Sequence, residues 1–336
     1  MKKATIYDIA KKTNLSPATV SQVFNNPARV SPENRRAVLE AAEWLSYVRP
    51  RKRRGTQGAV GIIVHDFSNC FLGEFYNLVT HTIAEELKAL NKNIYIESFD
   101  YEDKIVPQII TKNLVDGILF VGPINPAHVI MTKQKHVPFI LVGHPIPNVE
   151  YACVIPDNRS GSIQAVDHLI SLGHKKIAIV LGRLNHDPIS YERLEGYKYA
   201  LDNAGIETPK EYIRHADYCN PKTAYEATKS LLQLNDPPTA IFYASDSLAY
   251  RGYEAIKEMG LKIPDDLSVV GFDNIHLEDF LRPKPCLTTI DIDRRKMGKI
   301  AVDLLYQNIN NPQRIPLRYT LPVHLVIKES TASNNQ

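Results

Sequence analysis

Apolar side chains recur at helical spacing through the first 47 residues, and two polar breaks interrupt the pattern. Ile6, Ile9 and Ala10 lie three or one residues apart, as on one face of a helix. A serine followed by proline, at Ser16 and again at Ser31, joins a strong N-cap to a residue that suits the first helical position. The pattern predicts helices over residues 5–13, 17–25 and 32–47.

The three predicted helices carry apolar stripes that can share one core. Thr5 is the expected N-cap of the first helix. The stripes of the second and third helices consist of Val20, Val23, Phe24, Val38, Leu39, Ala42 and Leu45. Two short helices separated by a tight turn and braced by a third are typical of a helix-turn-helix, which places its second helix in the major groove of DNA.

Residues 59–336 have a different rhythm, in which apolar runs alternate with amphipathic stretches. We expect strands at 59–64, 93–97, 115–121, 137–142, 176–181, 239–243 and 267–272. We expect helices at 71–91, 161–172, 190–204 and 248–259. Apolar strands alternating with helices predict parallel sheets covered on both faces. Because the rhythm runs through twice, it predicts an α/β domain with two lobes.

Length and composition fit a globular protein with more than one core. The chain has 336 residues, of which 44% are hydrophobic and 23% charged. No apolar run reaches the roughly 18 residues that span a bilayer. The charged start, with Asp8, Lys11 and Lys12, differs from the apolar centre of a signal peptide. We therefore expect a cytoplasmic protein.

Charge is distributed unevenly along the chain. Residues 1–58 hold twelve basic and four acidic side chains, a net charge of +8, whereas residues 59–336 hold 28 basic and 33 acidic ones, a net charge of −5. A basic head on an acidic body is the electrostatic pattern of a polyanion-binding protein. Together with the helical pattern, this charge favours DNA binding over a solubilising tail or a plain three-helix bundle.

The sequence contains no recognisable catalytic, metal-binding or cofactor motif. Its cysteines, Cys70, Cys153, Cys219 and Cys286, lie far apart without a CxxC pair, which argues against a zinc site or a disulfide framework. Gly-x-Ser-x-Gly, His-Glu-x-x-His and phosphate-loop patterns are absent from the sequence. We expect neither an enzyme nor a bound cofactor.

The segment ATIYDIAKKTNLSPATVSQVFNNPARVSPENRRAVLEAAEWLSYVRP resembles the head of the lactose/galactose-repressor (LacI/GalR) family. The resemblance implies that residues 1–47 form a helix-turn-helix DNA-binding domain. It implies phosphate contacts or helix orientation for Thr5, Tyr7, Ser16, Thr19, Ser21, Asn25 and Ser31. It implies base reading for Pro17, Ala18 and Gln22. Arg29 and Tyr47 complete the expected DNA-binding set.

One base-reading position departs from the family. The family usually has arginine where this chain has Gln22. Arginine pairs best with guanine, whereas glutamine pairs best with adenine. We therefore expect an operator in which A·T is favoured at the step that Gln22 reads.

Residues 48–58 form a basic linker that also departs from the family. The resemblance implies a hinge helix whose leucine wedges into the minor groove, but here the segment is shortened and that leucine is absent. Pro50 and Gly55 leave little room for a helix. Two interpretations stay open: a flexible arm in the minor groove, or a solvated tether that attracts phosphates without sequence preference. The residues concerned are Arg51, Lys52, Arg53 and Arg54.

The phrases VDGILFV, HLISLGHKKIAIV and SVVGFDN resemble the type I periplasmic-binding-protein fold, which serves as the sensor of the same family. That fold implies three crossings between the lobes, here expected near 158, 286 and 318. The expected N-lobe is 59–157 plus about 287–318, and the expected C-lobe is 158–286 plus about 319–330. Residues 331–336 are expected to form a flexible tail.

Ligands of open α/β sheets bind beyond the carboxyl ends of the strands. The resemblance implies that Arg193 and Asp273 are paired anchors of an effector, because arginine donates to hydroxyls or a carboxylate and aspartate accepts from hydroxyls. The further expected effector contacts are Ser68, Phe71, Asp157, Ser190, Tyr218 and Asp246. For Asp157 and Asp273 a local role as helix N-caps is the alternative.

The resemblance implies a homodimeric repressor that reads a pseudo-palindromic operator and responds to a small effector between its lobes. A sugar or other small polyol is the preferred effector, and a nucleobase, a phosphorylated sugar or a partner protein are the alternatives. A solute-binding transport protein shares the sensor fold, but it would need a signal peptide in place of the basic head. The sequence leaves open whether the effector releases or tightens DNA binding.

Overall fold

The computed structural model describes residues 4–25, 27–45, 47, 58–65, 72–99, 106–147, 150–182, 188–218, 220–275, 285–311 and 316–334. The chain divides into two compact units, Met1–Gly55 and Thr56–Gln336. Six residues with an expected role lie outside the described residues: Arg51, Lys52, Arg53, Arg54, Ser68 and Phe71. Among the described residues, no helix combines the length and hydropathy that a bilayer span requires.

The helices of the first unit begin at the caps that the sequence predicts. They are α1 (Ile6–Thr13), α2 (Pro17–Asn25) and α3 (Pro32–Trp44), with a 3-10 turn at Pro27–Arg29. The Asp8 carboxylate accepts the backbone N–H and the hydroxyl of Thr5, each at 2.7 Å, and so closes the start of α1. The Ser31 hydroxyl accepts the backbone N–H of Asn34 at the start of α3.

The core of the first unit takes one apolar face from each helix. Ile9, Val20 and Val38 are fully buried. Leu39, which the sequence analysis assigned to this core, is 46% exposed, and Ala41 is buried in its place. Residues 38, 41, 42 and 45 follow the three-four spacing of one helical face, whereas position 39 falls about a quarter turn away.

The second unit contains two six-stranded sheets, and each sheet forms one lobe. The strands of the N-lobe are β1 (Ala59–His65), β2 (Asn93–Phe99), β3 (Gly117–Val121), β4 (Phe139–Val142), β5 (Ala152–Pro156) and β11 (Arg318–Leu321). The strands of the C-lobe are β6 (Ile177–Leu181), β7 (Ile213–His215), β8 (Ala240–Tyr243), β9 (Ser268–Asp273), β10 (Thr288–Asp291) and β12 (His324–Val326).

Helices cover both sheets. Those of the N-lobe are α4 (Leu72–Ala89), α5 (Gln108–Thr111), α6 (Pro126–Gln134) and α11 (Arg294–Asn310). Those of the C-lobe are α7 (Asn158–Ser171), α8 (Pro188–Asn203), α9 (Pro221–Leu232) and α10 (Asp246–Glu258). The core strands are buried along their whole length, as β3, β4, β6 and β8 show, which explains their unbroken apolar sequences.

The strand order places the carboxyl ends of each sheet along one edge. The N-lobe sheet has the order β11-β5-β4-β3-β1-β2, with every pair parallel. The C-lobe sheet has the order β12-β10-β9-β8-β6-β7, and only β12 pairs antiparallel. Side chains that follow neighbouring strands are therefore brought together at one edge of the C-lobe.

The chain passes between the sheets after β5, between β10 and α11, and between β11 and β12. The last two crossings come later than the expected positions near 286 and 318. β10 pairs with β9, so residues 288–291 belong to the C-lobe sheet. β11 pairs with β5, so residues 318–321 belong to the N-lobe sheet. In both cases a strand continues its own sheet before the chain crosses.

The segment after β12 is bound to the C-lobe as far as Asn334 rather than forming a free tail from residue 331. The backbone N–H of Ala332 donates to Ser268 Oγ at 3.1 Å, and that of Asn334 donates to the carbonyl of Leu172 at 2.8 Å. The imidazole Nε2 of His174 lies 3.1 Å from the carbonyl oxygen of Ala332. These bonds make residues 331–334 part of the lobe.

The close packing of α7 against α8 depends on Gly196, where a Cβ would lie 2.4 Å from the backbone oxygen of Arg159. We expect Gly196→Ala to lower the free energy of unfolding by about 1–3 kcal/mol, because the helices must move apart. Urea denaturation measures this change. The control is Glu195→Ala at the exposed neighbouring position, with an expected change within about 0.5 kcal/mol. Equal changes in both variants would contradict this packing role.

Candidate functional site

The outward face of α2 is small and polar. Ala18 and Gln22 are exposed, and Pro17 and Ser21 are half-buried beside them. Residues four apart lie on the same side of a helix, so Ala18 and Gln22 form one accessible face. Among the side chains described on this face, none is bulky enough to keep it from a base edge, as entry into a major groove requires.

The residues around α2 divide into exposed groups and groups with a local structural role. The Ser16 hydroxyl accepts the backbone N–H of Thr19 at 3.0 Å, and the two hydroxyl oxygens lie 2.9 Å apart. Tyr7 is 69% exposed. Tyr47 packs on Phe24, with 5.7 Å between the ring centroids, so its ring supports the core.

Three further members of the expected DNA-binding set lie at helix ends. Thr5 and Ser31 are exposed N-cap residues, and Arg29 is exposed in the 3-10 turn. Backbone N–H groups at helix N-termini bind phosphates well, and caps at these positions bring such groups to the surface. The side chain of Asn25 lies outside the described residues.

A buried ion pair lies at the carboxyl edge of the C-lobe sheet. Arg193 NH2 on α8 is 3.4 Å from Asp273 Oδ1 at the end of β9, and the two side chains are 5% and 6% exposed. Arg193 Nε donates to Asn158 Oδ1 at 3.0 Å, and its NH1 donates to the carbonyl of Ala244. The guanidinium carbon stacks 3.7 Å from the centroid of the Phe272 ring. Four contacts, two of them from β9, therefore hold this arginine in one orientation.

This arginine retains binding capacity. A guanidinium has five N–H donors, and the bonds to Asn158, Ala244 and Asp273 use three of them. The remaining two have no partner among the described residues. A ligand hydroxyl or carboxylate placed at this edge can accept from them.

The backbone of Asp273 is held in an unfavourable conformation. Its φ is 109°, in the region that favours glycine, and the next residue, Asn274, has a φ of 46°. Strain of this kind costs on the order of 1–3 kcal/mol and is concentrated at binding and catalytic sites. Asp273 therefore combines a buried charge with a strained turn, which makes the end of β9 a candidate functional site.

Two of the expected effector contacts have structural roles. Asp157 caps α7 by accepting the backbone N–H of Ser160 at 3.0 Å, as the alternative interpretation held. Asp246 accepts the hydroxyl of Thr289 at 2.6 Å through one oxygen and the backbone N–H of Ile275 at 2.8 Å through the other. Both oxygens of Asp246 therefore brace the turn behind Asp273.

Burial raises the pKa of Asp246 from 3.8 to about 7, and the negative charge of Asp273 adds to this rise. The hydrogen bonds from Thr289 and Ile275 oppose the shift. The site is crowded, because a Cβ at position 271 would lie 2.2 Å from Asp246 Oδ1. Gly271 thus leaves the space that this carboxyl fills.

Ser190 and Tyr218 lie together at the end of β6. The hydroxyl of Ser190 accepts the backbone N–H of Gly182 at 3.1 Å and lies 3.0 Å from the hydroxyl of Tyr218. A Cβ at Gly182 would come within 2.2 Å of the Tyr218 ring. The structure therefore brings both residues to the carboxyl edge that also holds Arg193.

Sequence reasoning did not single out Asn158, and it placed Asn274 at the end of a strand without assigning it a role. Asn158 bridges Arg193 and Glu192, with its amide donating to Glu192 Oε2 at 2.9 Å. Asn274 donates through its side chain to Asp291 and accepts the Lys328 ammonium. Both asparagines directly follow an expected site aspartate, and this adjacency was the available signal.

Comparisons with known proteins agree with this architecture. Residues 5–50 match the family model described as bacterial regulatory proteins, lacI family, and residues 166–331 match a periplasmic binding protein-like domain. Catabolite control protein A of Priestia megaterium is 32% identical over 337 residues, which cover 97% of this chain and 99% of the relative. The repressor CytR of Escherichia coli is 32% identical over 333 residues, covering 98% and 96%.

Solved structures with the same fold include ligand and DNA complexes. The transcriptional regulator CelR bound to cellobiose has a TM-score of 0.71 and 26% identity, covering 98% of this chain and 100% of its own. A LacI family regulator from Enterococcus faecium with bound ribose has a TM-score of 0.71 and 28% identity, covering 82% and 100%. The lac repressor dimer bound to operator and an anti-inducer has a TM-score of 0.70 and 27% identity, covering 98% and 100%.

A helix-turn-helix head followed by a two-lobed periplasmic-binding-protein-like domain defines a class of DNA-binding transcriptional regulators with a sensor for small molecules. The chain belongs to the lacI family of bacterial regulatory proteins.

The raised pKa of Asp246 predicts a pH-dependent stability. The folded carboxyl holds its proton more tightly than an unfolded one, so the contribution of Asp246 to stability falls as pH rises from about 4 to about 7. Asp246→Asn imitates the protonated form, so we expect its stability relative to the native protein to increase across this interval. Urea denaturation at several pH values measures the difference. The control is Asp265→Asn on the surface, and a parallel pH dependence in both variants would contradict this assignment.

Proposed function

We propose that the protein is a homodimeric repressor that binds a pseudo-palindromic operator and is controlled by a sugar in the cleft between its lobes. The observation that carries this proposal is the buried Arg193–Asp273 pair at the carboxyl edge of the C-lobe, with its strained aspartate and two available guanidinium N–H groups. The protein acts in the cytoplasm by binding rather than by catalysis, as a DNA-binding regulator does.

The chemistry of the pair suits a polyol. Asp273 accepts hydrogen bonds from sugar hydroxyls, and Arg193 donates to hydroxyl oxygens. The Phe272 ring stacks on the guanidinium and limits its rotation. Relatives of this chain bind cellobiose and ribose, and both are polyols. A nucleobase or a phosphorylated sugar is the alternative ligand.

A chain of contacts connects the effector anchors to the other lobe. Asn158 joins Arg193 to Glu192, and Glu192 Oε1 accepts Arg318 NH2 at 2.7 Å. Arg318 lies on β11 of the N-lobe, whereas the other three residues belong to the C-lobe. An effector that reorients Arg193 therefore changes the energy of a contact between the lobes. Such a difference in contacts between two states is what allosteric control requires.

Control by a partner protein is the second candidate, and the experiment that separates the two uses purified protein alone. Operator duplexes are first selected from random DNA at fixed salt, because phosphate contacts make affinity depend on salt. Ribose, cellobiose, glucose 6-phosphate and glucuronate are then titrated into the operator complex. We expect one of them to change the operator Kd by about 5–150-fold, the usual size of allosteric coupling. If the selection yields no preferred sequence, the repressor assignment is refuted.

Arg193→Lys tests the effector anchor. Lysine keeps the positive charge beside Asp273 but loses the planar fork. We expect operator binding without sugar to stay close to that of the native protein, and the change in operator Kd caused by sugar to fall by roughly tenfold or more. Fluorescence anisotropy with labelled operator measures both quantities. Arg159→Lys on the exposed side of α7 serves as the control, and an unchanged sugar response in Arg193→Lys would refute the role of this residue.

Gln22→Arg tests base reading by the exposed face of α2. We expect the selected operator to change from A·T to G·C at one step in each half-site, with about 1–3 kcal/mol of discrimination. Selection from random duplexes, followed by competition between the two operators, measures this preference. The control is Arg36→Gln on α3, where the side chain is 82% exposed and pairs with Glu40. The same sequence preference in native protein and Gln22→Arg would show that this residue does not read bases.

A further inference from the structure

A second buried arginine lies between the lobes, next to the effector anchors. Arg294 is the first residue of α11, directly after the crossing from β10. Its NH2 donates to the carbonyl oxygen of Asn274 at 2.9 Å, and Asn274 follows Asp273 in the C-lobe. Its guanidinium carbon lies 5.9 Å from the centroid of the Phe75 ring, on α4 of the N-lobe. The cation therefore contacts both lobes one residue away from the Arg193–Asp273 pair.

The charge of Arg294 is not neutralised by any carboxylate within ion-pair distance in the described part of the chain. The residue is 5% exposed. Of its five N–H groups only one has a partner among the described residues, and Nε is buried without any. An arginine cannot lose its proton to avoid this cost, so an isolated buried guanidinium is strongly unfavourable. No described residue therefore supplies an anion to this site.

The acidic side chains nearest in sequence are already occupied. Asp293 accepts the backbone N–H of Lys296 at 2.8 Å and caps α11. Asp291 accepts the amide of Asn274 at 2.7 Å through Oδ1, and its Oδ2 lies 3.7 Å from His324 Nε2. The Phe75 ring is at the outer limit of a cation–π contact and carries no counter-charge. The neutralising group must therefore come from outside the described residues.

We propose that Arg294 binds an oxyanion of the effector, so that the effector is an acidic polyol: a sugar carrying a carboxylate or a phosphoryl group. This inference rests on the proposed effector site between the lobes. The hydroxyls of the ligand bind at Arg193 and Asp273, and its oxyanion accepts from the N–H groups of Arg294 that lack a partner. An anion held there contacts the first turn of α11 while the rest of the ligand contacts the C-lobe. The acidic group thus adds a bond that joins the two lobes.

The adjacent Arg295 offers a matched control. Its side chain is 61% exposed and lies 3.7 Å from Glu85, so it has the same charge and a partner of its own. Thermal unfolding of the full chain is followed while inorganic phosphate, or separately acetate, replaces chloride at constant ionic strength. We expect a saturable rise in the midpoint for the native protein and for Arg295→Met, and no such rise for Arg294→Met. The oxyanion site would be overturned if the unfolding midpoint also rose in Arg294→Met, or if it did not rise in the native protein.

A second measurement uses ligands that differ only in the acidic group. Glucose, glucose 6-phosphate and glucuronate, which differ at C6 of the same pyranose ring, are titrated calorimetrically into the native protein and both variants. We expect one acidic ligand to bind more tightly than glucose by roughly tenfold or more, the size of a charge-assisted hydrogen bond, and Arg294→Met to abolish this preference. The phosphate and carboxylate arms identify which oxyanion is taken. Tighter binding of glucose than of both acids would overturn the proposal, and so would a preference that survives in Arg294→Met.

Operator binding without ligand is measured for the same three proteins. We expect it to stay intact in Arg294→Met, which shows that the variant is folded. If the native protein shows no sequence-specific operator binding, the proposed repressor function is contradicted. If operator binding is intact but the anion effect does not depend on Arg294, only the oxyanion site is contradicted.

Discussion

The sensor is organised around a pair of charges that the fold removes from water. Moving Arg193 and Asp273 into the C-lobe costs desolvation energy, and replacing such a pair with apolar residues often leaves stability unchanged or increases it. The surrounding contacts reduce that cost by giving the guanidinium an amide oxygen, a backbone carbonyl and an aromatic face. The same contacts hold the pair and the strained aspartate backbone in one rigid, polar arrangement, as a ligand site needs.

The crossing segments connect this site to the rest of the domain. Asn274 joins the end of β9 to Asp291 on β10, to Lys328 after β12 and to Arg294 at the start of α11. Arg318 on β11 reaches Glu192 beside Arg193. A rearrangement at Asp273 therefore reaches the N-lobe through short, direct hydrogen bonds. The head works by a simpler principle, in which a small buried core leaves one polar helix face exposed on a strongly basic unit.

Much of the element order was predictable because the relevant forces are local. A serine followed by proline predicts a helix start, as at α2 and α3. An unbroken apolar run predicts a buried strand, as in β3, β4 and β6. The prediction was less accurate where an element depends on distant partners. Leu39 was assigned to the core because it is apolar and belongs to the predicted stripe, but its angular position on α3 exposes it. The short strands β10 and β11 extended each sheet beyond the expected crossings, because pairing with β9 and β5 decides where they belong.

The sequence by itself determined the helix-turn-helix and the two α/β lobes, because caps and hydrophobic periodicity are written in neighbouring residues. Its motif phrases, through a family resemblance, made Arg193 and Asp273 candidate effector anchors. Only the tertiary structure decided the roles of side chains that meet across long separations. It assigned Asp246 to bracing the turn behind Asp273, showed that Asn158 bridges Arg193 and Glu192, and placed Arg294 between the lobes with no carboxylate partner in the described part of the chain. The physical reason is that burial and hydrogen-bond geometry depend on which elements pack together, and no local pattern contains that information.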